Sequence, residues 1–290
     1  MRHSQLKAFH NVALHGGFSR AAEALFLTQP AISEQVRKLE QDHDVLLFSR
    51  DRKRVRLTKE GERLFLLTRQ LFEVEEQIEE YMSETRAAVE GSLRIIADSA
   101  HYITGVLARF RKKHPKVLVS LRTGNSEEVL SELRAYNAEI GIVGSIAPGQ
   151  DMEKLDLGAS PIVAIAAKGF FPAETRQLDL HDLAEMPLVF REKGSKTRQK
   201  LEDAAAQLKV KLIPAIEAEG REAMREVVAS GAGVGFVSGA EVGRDDRIVE
   251  IPLTGVTISM NETLIYLSQR RDVRVIRAFM EHASALGAKP

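Results

Sequence analysis

The chain has no cysteine, which removes disulfides, thiolate metal sites and cysteine nucleophiles together. It has no apolar run near the ~18 residues of a membrane span, and its opening Met1-Arg2-His3-Ser4-Gln5 lacks an apolar signal region. The expectation is a soluble cytoplasmic protein without membrane contact, in which the sequon Asn261-Glu262-Thr263 is a chance match. Net charge is lacking as well, because 41 Lys and Arg balance 41 Asp and Glu. Any attraction to nucleic acid must therefore come from local segregation of charge. The histidines are scattered without ligand spacing, so neither a metal nor a cofactor is expected. Catalytic signatures are missing too. There is no Gly-x-Ser-x-Gly elbow and no ordered Ser-His-Asp set, and Gly231-Ala232-Gly233-Val234-Gly235-Phe236 has Phe236 where a nucleotide loop needs its last glycine. That segment runs from helix to strand and reads as a tight helix exit, and the chain is not read as an enzyme. What is present, 290 residues that are 44% hydrophobic and 28% charged, excludes disorder and suffices for two or three domains.

Charge divides the chain into three parts. Residues 1–58 hold 10 basic against 6 acidic residues, residues 59–90 hold 4 against 9, and the remainder is almost neutral. The reading is a basic head, an acidic helix and a near-neutral body.

In the head, Leu6, Phe9, Val12 and Ala13 follow helical spacing, and Gly16-Gly17 stops that helix. Ser19 is the expected N-cap of a second helix, from about Arg20 to Leu25, whose Ala21, Ala22 and Ala24 allow close helix crossing. Thr28 is expected to cap a third helix with Pro30 in its first turn and Ile32, Val36 and Leu39 facing inward. Its opposite face offers Gln29, Ser33, Glu34, Gln35, Arg37 and Lys38, which suit base edges and phosphates in a major groove. A hairpin then carries Arg50, Arg52, Lys53, Arg54 and Arg56, five cations in seven residues, as a wing suits phosphates or the minor groove. A solvated turn is the plain alternative. Ser19, Arg20, Gln29, Pro30, Ser33, Gln35, Arg37, Lys38, Arg50, Arg52, Lys53 and Arg54 are the candidate DNA contacts.

The run Phe18-Ser19-Arg20-Ala21-Ala22-Glu23-Ala24-Leu25, followed by Thr28-Gln29-Pro30-Ala31-Ile32-Ser33 and Val36-Arg37-Lys38-Leu39-Glu40, resembles the winged helix-turn-helix of LysR-type transcriptional regulators. The resemblance extends over the whole chain. It implies an α/β multidomain protein: an N-terminal winged helix-turn-helix (1–58), a coiled-coil linker helix (59–90) and a two-lobed periplasmic-binding-protein-like effector domain (91–290). Double-stranded operator DNA, a small effector and the chain itself, as homodimer or homotetramer, are the implied partners, with RNA polymerase a further candidate.

In the acidic segment Leu64, Leu67, Leu71, Val74, Ile78, Tyr81, Thr85 and Ala88 repeat with heptad spacing. Such a seam implies a coiled-coil partner, or packing on its own domain. From Gly91 onward short apolar strands alternate with amphipathic helices, as parallel sheets require. Strands are expected at 93–97, 117–122, 140–143, 162–166, 188–191, 213–218, 234–237 and 263–267, with helices at 126–136, 197–208, 222–230 and 273–285. Lobe one is read as 91–160 with 264–290, and lobe two as 161–263. Ligands of such folds lie between lobes at the carboxyl ends of strands.

That rule selects Asp98, Ser99, Ala100, His101 and Tyr102, then Asn125, then Arg191, Ser195, Thr197 and Arg198, then Glu219 and Arg221, with Gly144 at the border. Ser99, Ser126 and Thr197 are expected to cap helices, and hydroxyls, helix N-termini and arginines together suit a small anion. The opening Met1 to Phe9 and the body are also similar to LysR-type regulators linked to aminoethylphosphonate catabolism. This implies 2-aminoethylphosphonate as effector, its ammonium facing a carboxylate such as Asp98 or Glu219. Other small anions and carboxylates fit the same pattern. A transport binding protein and a DNA-binding scaffold that takes no ligand are the remaining alternatives.

Overall fold

The computed structural model describes residues 1–51, 54–82, 89–145 and 149–287, with the side chains of 50, 51, 54, 80, 81, 286 and 287 outside that description. Two compact units result, Met1–Arg86 and Ala87–Pro290.

The first unit opens with α1 (His3–His15), which ends where Gly16 takes the left-handed conformation at φ 64°. Helix α2 (Phe18–Leu25) starts two residues before the expected Arg20. The Ala21 N–H bonds to the Gly17 carbonyl at 3.1 Å, which closes a first turn and puts Ser19 inside the helix rather than at its N-cap. Helix α3 (Gln29–Asp42) follows, with Pro30 in its first turn; the Thr28 side chain makes no capping bond. Strands β1 (Phe48–Asp51) and β2 (Arg54–Leu57) pair antiparallel. Phe9, Ala21, Ile32, Val36, Leu39 and Leu47 are fully buried between them, so three short helices share one core.

Helix α4 (Lys59–Met82) belongs to this unit. Leu64, Phe65 and Phe72 pack into the head core, and Thr68 is buried against His10 of α1. Leu64, the first expected position of the seam, is thus partly buried against the head core within its own chain. Leu67 (60% exposed), Leu71, Val74 and Ile78 (58%) form an uncovered apolar row within this chain. Tyr81 as a side chain, together with Thr85 and Ala88, lies outside the described residues.

The second unit holds β3 (Gly91–Ala97), α5 (Thr104–Lys113), β4 (Val117–Thr123), α6 (Ser126–Arg134), β5 (Ile140–Gly144), β6 (Met152–Ala167), α7 (Leu180–Ala184), β7 (Leu188–Arg191), α8 (Lys196–Gln207), β8 (Pro214–Ala218), α9 (Arg221–Ala229), β9 (Gly235–Ser238), β10 (Ile248–Pro252), β11 (Ser259–Leu267) and α10 (Arg274–Gly287). In lobe one the strand order is β6-β11-β5-β3-β4, with β3 parallel to both β4 and β5. Side-chain alternation sends Ile95 toward α5 and α10 and Ile96 toward α6, so helices cover both faces. In lobe two, β6 pairs with β9 and β10, and β7 with β8.

The strand β6 is 16 residues long and serves both lobes. Residues 152–156 pair with the far end of β11, whereas 162–167 pair with β9 and β10. At the crossing Gly158 has φ 123°, and the β6–β11 register slips between Glu262 and Thr263. The sequence reading of a strand at 162–166 misses the first half because Glu153, Lys154, Asp156, Gly158 and Pro161 mimic a loop. The β10 strand was missed as well. Gly231 (φ 85°) and Gly233, where a Cβ would lie 2.2 Å from the Pro187 carbonyl oxygen, form the tight exit from α9.

Candidate functional site

On the head, the exposed face of α3 is largely self-engaged. The Gln29 amide donates to Ser33 Oγ at 2.9 Å, and Glu34 accepts both Arg37 contacts at 3.0 Å and sits 3.4 Å from Lys38. Gln35 turns toward α1, where its amide oxygen accepts from the Ser4 hydroxyl at 3.3 Å. Arg20 folds back over the C-terminus of α1, donating to the His15 and Gly16 carbonyls at 2.6 and 2.7 Å, and so supplies the cation that a helix C-terminus favours. Pro30 is exposed at the start of α3. The side chains of Arg50 and Arg54, and all of Arg52 and Lys53, lie outside the described residues. The Gln29, Pro30 and Ser33 side chains thus lie together at the exposed N-terminal end of α3, with Arg37 and Lys38 further along it beside Glu34.

In the second unit a cleft of ≈ 780 Å³ separates the lobes. Seven expected residues line it: Asp98, Ala100, His101 and Asn125 from lobe one, and Arg191, Glu219 and Arg221 from lobe two. A buried ion pair spans it. Arg191 Nη1 donates to Asp98 Oδ1 at 2.8 Å, and Arg191 also holds Glu192 at 2.7 Å. Burial opposes the Arg191 charge, yet the Asp98 and Glu192 carboxylates keep its pKa above the ordinary value. Arg221 donates to the Asp98 carbonyl at 2.8 Å and lies 2.9 Å from Glu241.

Several expected residues lie elsewhere. Ser99 is fully buried and caps no α-helix; its hydroxyl accepts from the His101 N–H at 3.3 Å, and a three-residue turn precedes α5. Tyr102 has its hydroxyl buried. Gly144 faces Met260, whose Cε lies 2.5 Å from where a Cβ would be, so the border it forms is a packed one. Ser195 and Arg198 flank a separate ≈ 270 Å³ recess. Arg198 is bound there by Glu202, Glu217 and the Arg191 carbonyl, while Thr197 is buried in the first turn of α8. The expected caps shift by a residue or two. Asn125, not Ser126, caps α6 by accepting from the Glu127 and Glu128 N–H groups, and Ser195, not Thr197, stands at the N-cap of α8. Neither α8 nor α9 has a side-chain cap, and the first turn of α9 opens into the cleft behind Gly220.

Sequence reasoning missed the acidic character of this cleft. Glu128 and Glu226 line it, and Glu241 and Glu262 are buried. Burial pushes the Glu262 carboxyl up to about 8, the nearby Glu241 and Asp98 adding to the effect against Arg221. Burial likewise raises Glu241 and the Tyr102 phenol. The legible signal for Glu262 is an acid among the apolar residues of Ser259–Leu267. Among the described residues no group of His, Asp and Glu could hold a metal ion, and no helix is long and apolar enough to cross a membrane.

A helix-turn-helix with a β-hairpin, a long helix and a two-lobed α/β unit with an ionic cleft define a ligand-responsive DNA-binding regulator. Comparison with known proteins places the chain within one family. Residues 3–62 match the bacterial regulatory helix-turn-helix protein, lysR family, and residues 86–287 match the LysR substrate binding domain. The chain belongs to the LysR family of transcriptional regulators, which are not enzymes. It is 30% identical over 290 residues to the RuBisCO operon transcriptional regulator of Allochromatium vinosum, covering 98% of this chain and 96% of that one. It is 24% identical over 286 residues to the transcriptional activator CmpR of Synechocystis sp., covering 97% and 94%. Its fold matches full-length OxyR from Pseudomonas aeruginosa (TM-score 0.78, 19% identity, 98% and 94% covered) and CbnR bound to its target DNA (0.68, 20%, 99% and 100%).

Proposed function

We propose that this LysR-family regulator works in the cytoplasm as a homodimer or tetramer on promoter DNA, and that a small anionic metabolite bound between the lobes sets its activity. Gln29, Pro30 and Ser33 read bases in this arrangement, while Arg20, Arg37, Lys38 and the wing cations Arg50, Arg52, Lys53 and Arg54 serve phosphates. The exposed row Leu67, Leu71, Val74 and Ile78 meets its copy in a second chain, since a long single helix is marginal until such a seam is covered.

The observation that carries the effector reading is the cleft itself, walled by both lobes and clasped by Asp98 and Arg191. A ligand that bridges both walls binds the closed arrangement better than the open one, and that difference biases the assembly on DNA. Every arginine that lines the cleft is already paired, so the best available seat for an anion is the uncapped N-terminus of α9, behind Gly220. A zwitterion such as 2-aminoethylphosphonate matches both that seat and the acidic wall. The relatives named for the RuBisCO operon favour a second reading, in which the target genes serve carbon fixation and the effector is an anionic metabolite of that process.

Calorimetric titration of the full chain separates the two. The titrants are 2-aminoethylphosphonate, ribulose bisphosphate, inorganic phosphate and a small carboxylate. Micromolar binding of the first, lost in Arg221→Ala, supports the phosphonate; binding of the second alone discards it. Silence with all four refutes the small-anion reading.

A further inference from the structure

Four polar side chains from different parts of the second unit come near one another, three of them buried and the fourth, Tyr102, with its hydroxyl buried. Tyr102 follows β3, Ser238 ends β9, Glu241 lies in the next turn, and Glu262 sits where β11 crosses between the lobes. The Tyr102 hydroxyl, Ser238 Oγ, Glu241 Oε1 and Glu262 Oε2 are all buried without a well-formed hydrogen bond, although Tyr102 lies beside Ser238 and Glu241 beside Ser99; Glu262 as a whole is 1% exposed and Ser238 0%. Glu241 Oε1 lies 2.9 Å from Arg221, but not in line with its N–H groups. Unpartnered buried polar atoms of this kind are rare because each forfeits its bonds to water.

The charges do not cancel. Asp98 pairs with Arg191 and lies 3.7 Å from Arg221, Glu241 pairs with Arg221, Arg191 is also held by Glu192, and Glu262 feels Arg221 only at longer range. Burial keeps the Glu262 carboxyl largely protonated near neutral pH, and a donor that brings positive charge would let it ionise and accept. An ammonium group has three N–H donors and suits two carboxylate oxygens and a hydroxyl. Further anionic character in a ligand would be repelled at this point.

We infer that Glu241, Glu262, Tyr102 and Ser238 form a recognition site for a primary ammonium, so that the effector of this regulator is an amine-bearing molecule. The inference rests on the reading that an effector binds between the lobes. Because Glu262 stands at the strand crossing, an ammonium bound there touches the segment about which the lobes would rotate.

The test compares matched pairs on the full chain by thermal shift and calorimetry: 2-aminoethylphosphonate with ethylphosphonate, and β-alanine with propionate. The amine-bearing member of at least one pair is expected to raise the melting temperature, its partner lacking nitrogen not. Glu241→Gln with Glu262→Gln should weaken that binding about ten- to a hundredfold. Both are close in shape to the native residues, and Tyr102→Phe, which removes only a hydroxyl, is the second probe should the double variant fold poorly. Equal binding of the nitrogen-free partners overturns the ammonium site and leaves the interlobe effector reading standing. Amine binding that survives in every variant overturns it as well. Silence with all compounds removes both.

Discussion

Acid should loosen the head through one histidine. His10 lies on α1 against α4, with its ring centroid 5.3 Å from that of Phe65 and 4.8 Å from that of Phe72. Its Nδ1 is 3.1 Å from Thr68 Oγ1, and that hydroxyl gives its proton to the Phe65 carbonyl, so Nδ1 must be the donor and Nε2 stays bare among the rings. Burial, with Arg69 and His15 nearby, pushes the imidazole from its ordinary 6.5 down to about 4. The unfolded head therefore binds a proton between those values that the folded head refuses. The stabilisation is complete above pH 6.5 and is lost as pH falls through 6.5 toward 4. Its full extent is about 3 kcal/mol, of which about 2 kcal/mol is gone by roughly pH 5. Hydrogen exchange of α1 peptides in the full chain, corrected for intrinsic rates and measured from pH 7 to 5, should show that loss. His10→Phe should remove most of the slope, since Thr68 keeps its bond to Phe65. Equal acid sensitivity in both proteins would refute the argument.

Two further outcomes follow from the geometry. Asp98→Asn strips the charge from the partner of Arg191, and breaking a buried pair costs about 3 kcal/mol at the low end of the usual range because Glu192 remains. The melting temperature of the second unit should fall by about 6–12 °C in differential scanning calorimetry, and a loss under about 2 °C would show that the pair contributes little. Leu71→Glu with Ile78→Glu places charge on the exposed row of α4 without touching the head core. Sedimentation should then report a monomer, and an unchanged mass would place self-association elsewhere.

The architecture was legible wherever period and punctuation agreed. Leu6, Phe9 and Val12 fixed α1, Gly16 ended it, and the run Leu188–Arg191 was read to the residue. Boundaries failed where a backbone bond outvoted a side-chain preference, as when Gly17 rather than Ser19 opened α2. The cleft was half legible. Strand ends located Asp98, Asn125, Arg191 and Arg221 on its walls, because that depends on topology alone. The pairing of each arginine with a carboxylate was not legible, since Arg191 meets Asp98 across 93 residues of chain. For the same reason an anion site was expected where the assembled cleft is rich in carboxylates. Glu241 and Glu262 lie outside every strand and helix read from the sequence, and only the fold brings them together.

The two strands that cross between the lobes also set how the unit is threaded. The chain leaves lobe one along β6 and returns along β11, where Pro161 and Ser259 sit opposite one another. Everything between them is an insertion whose two ends are neighbours, the arrangement that tolerates excision and replacement best. That span can therefore be exchanged whole, and with it the α9 wall of the cleft. The strands that receive it keep their register, and the first unit keeps its sequence.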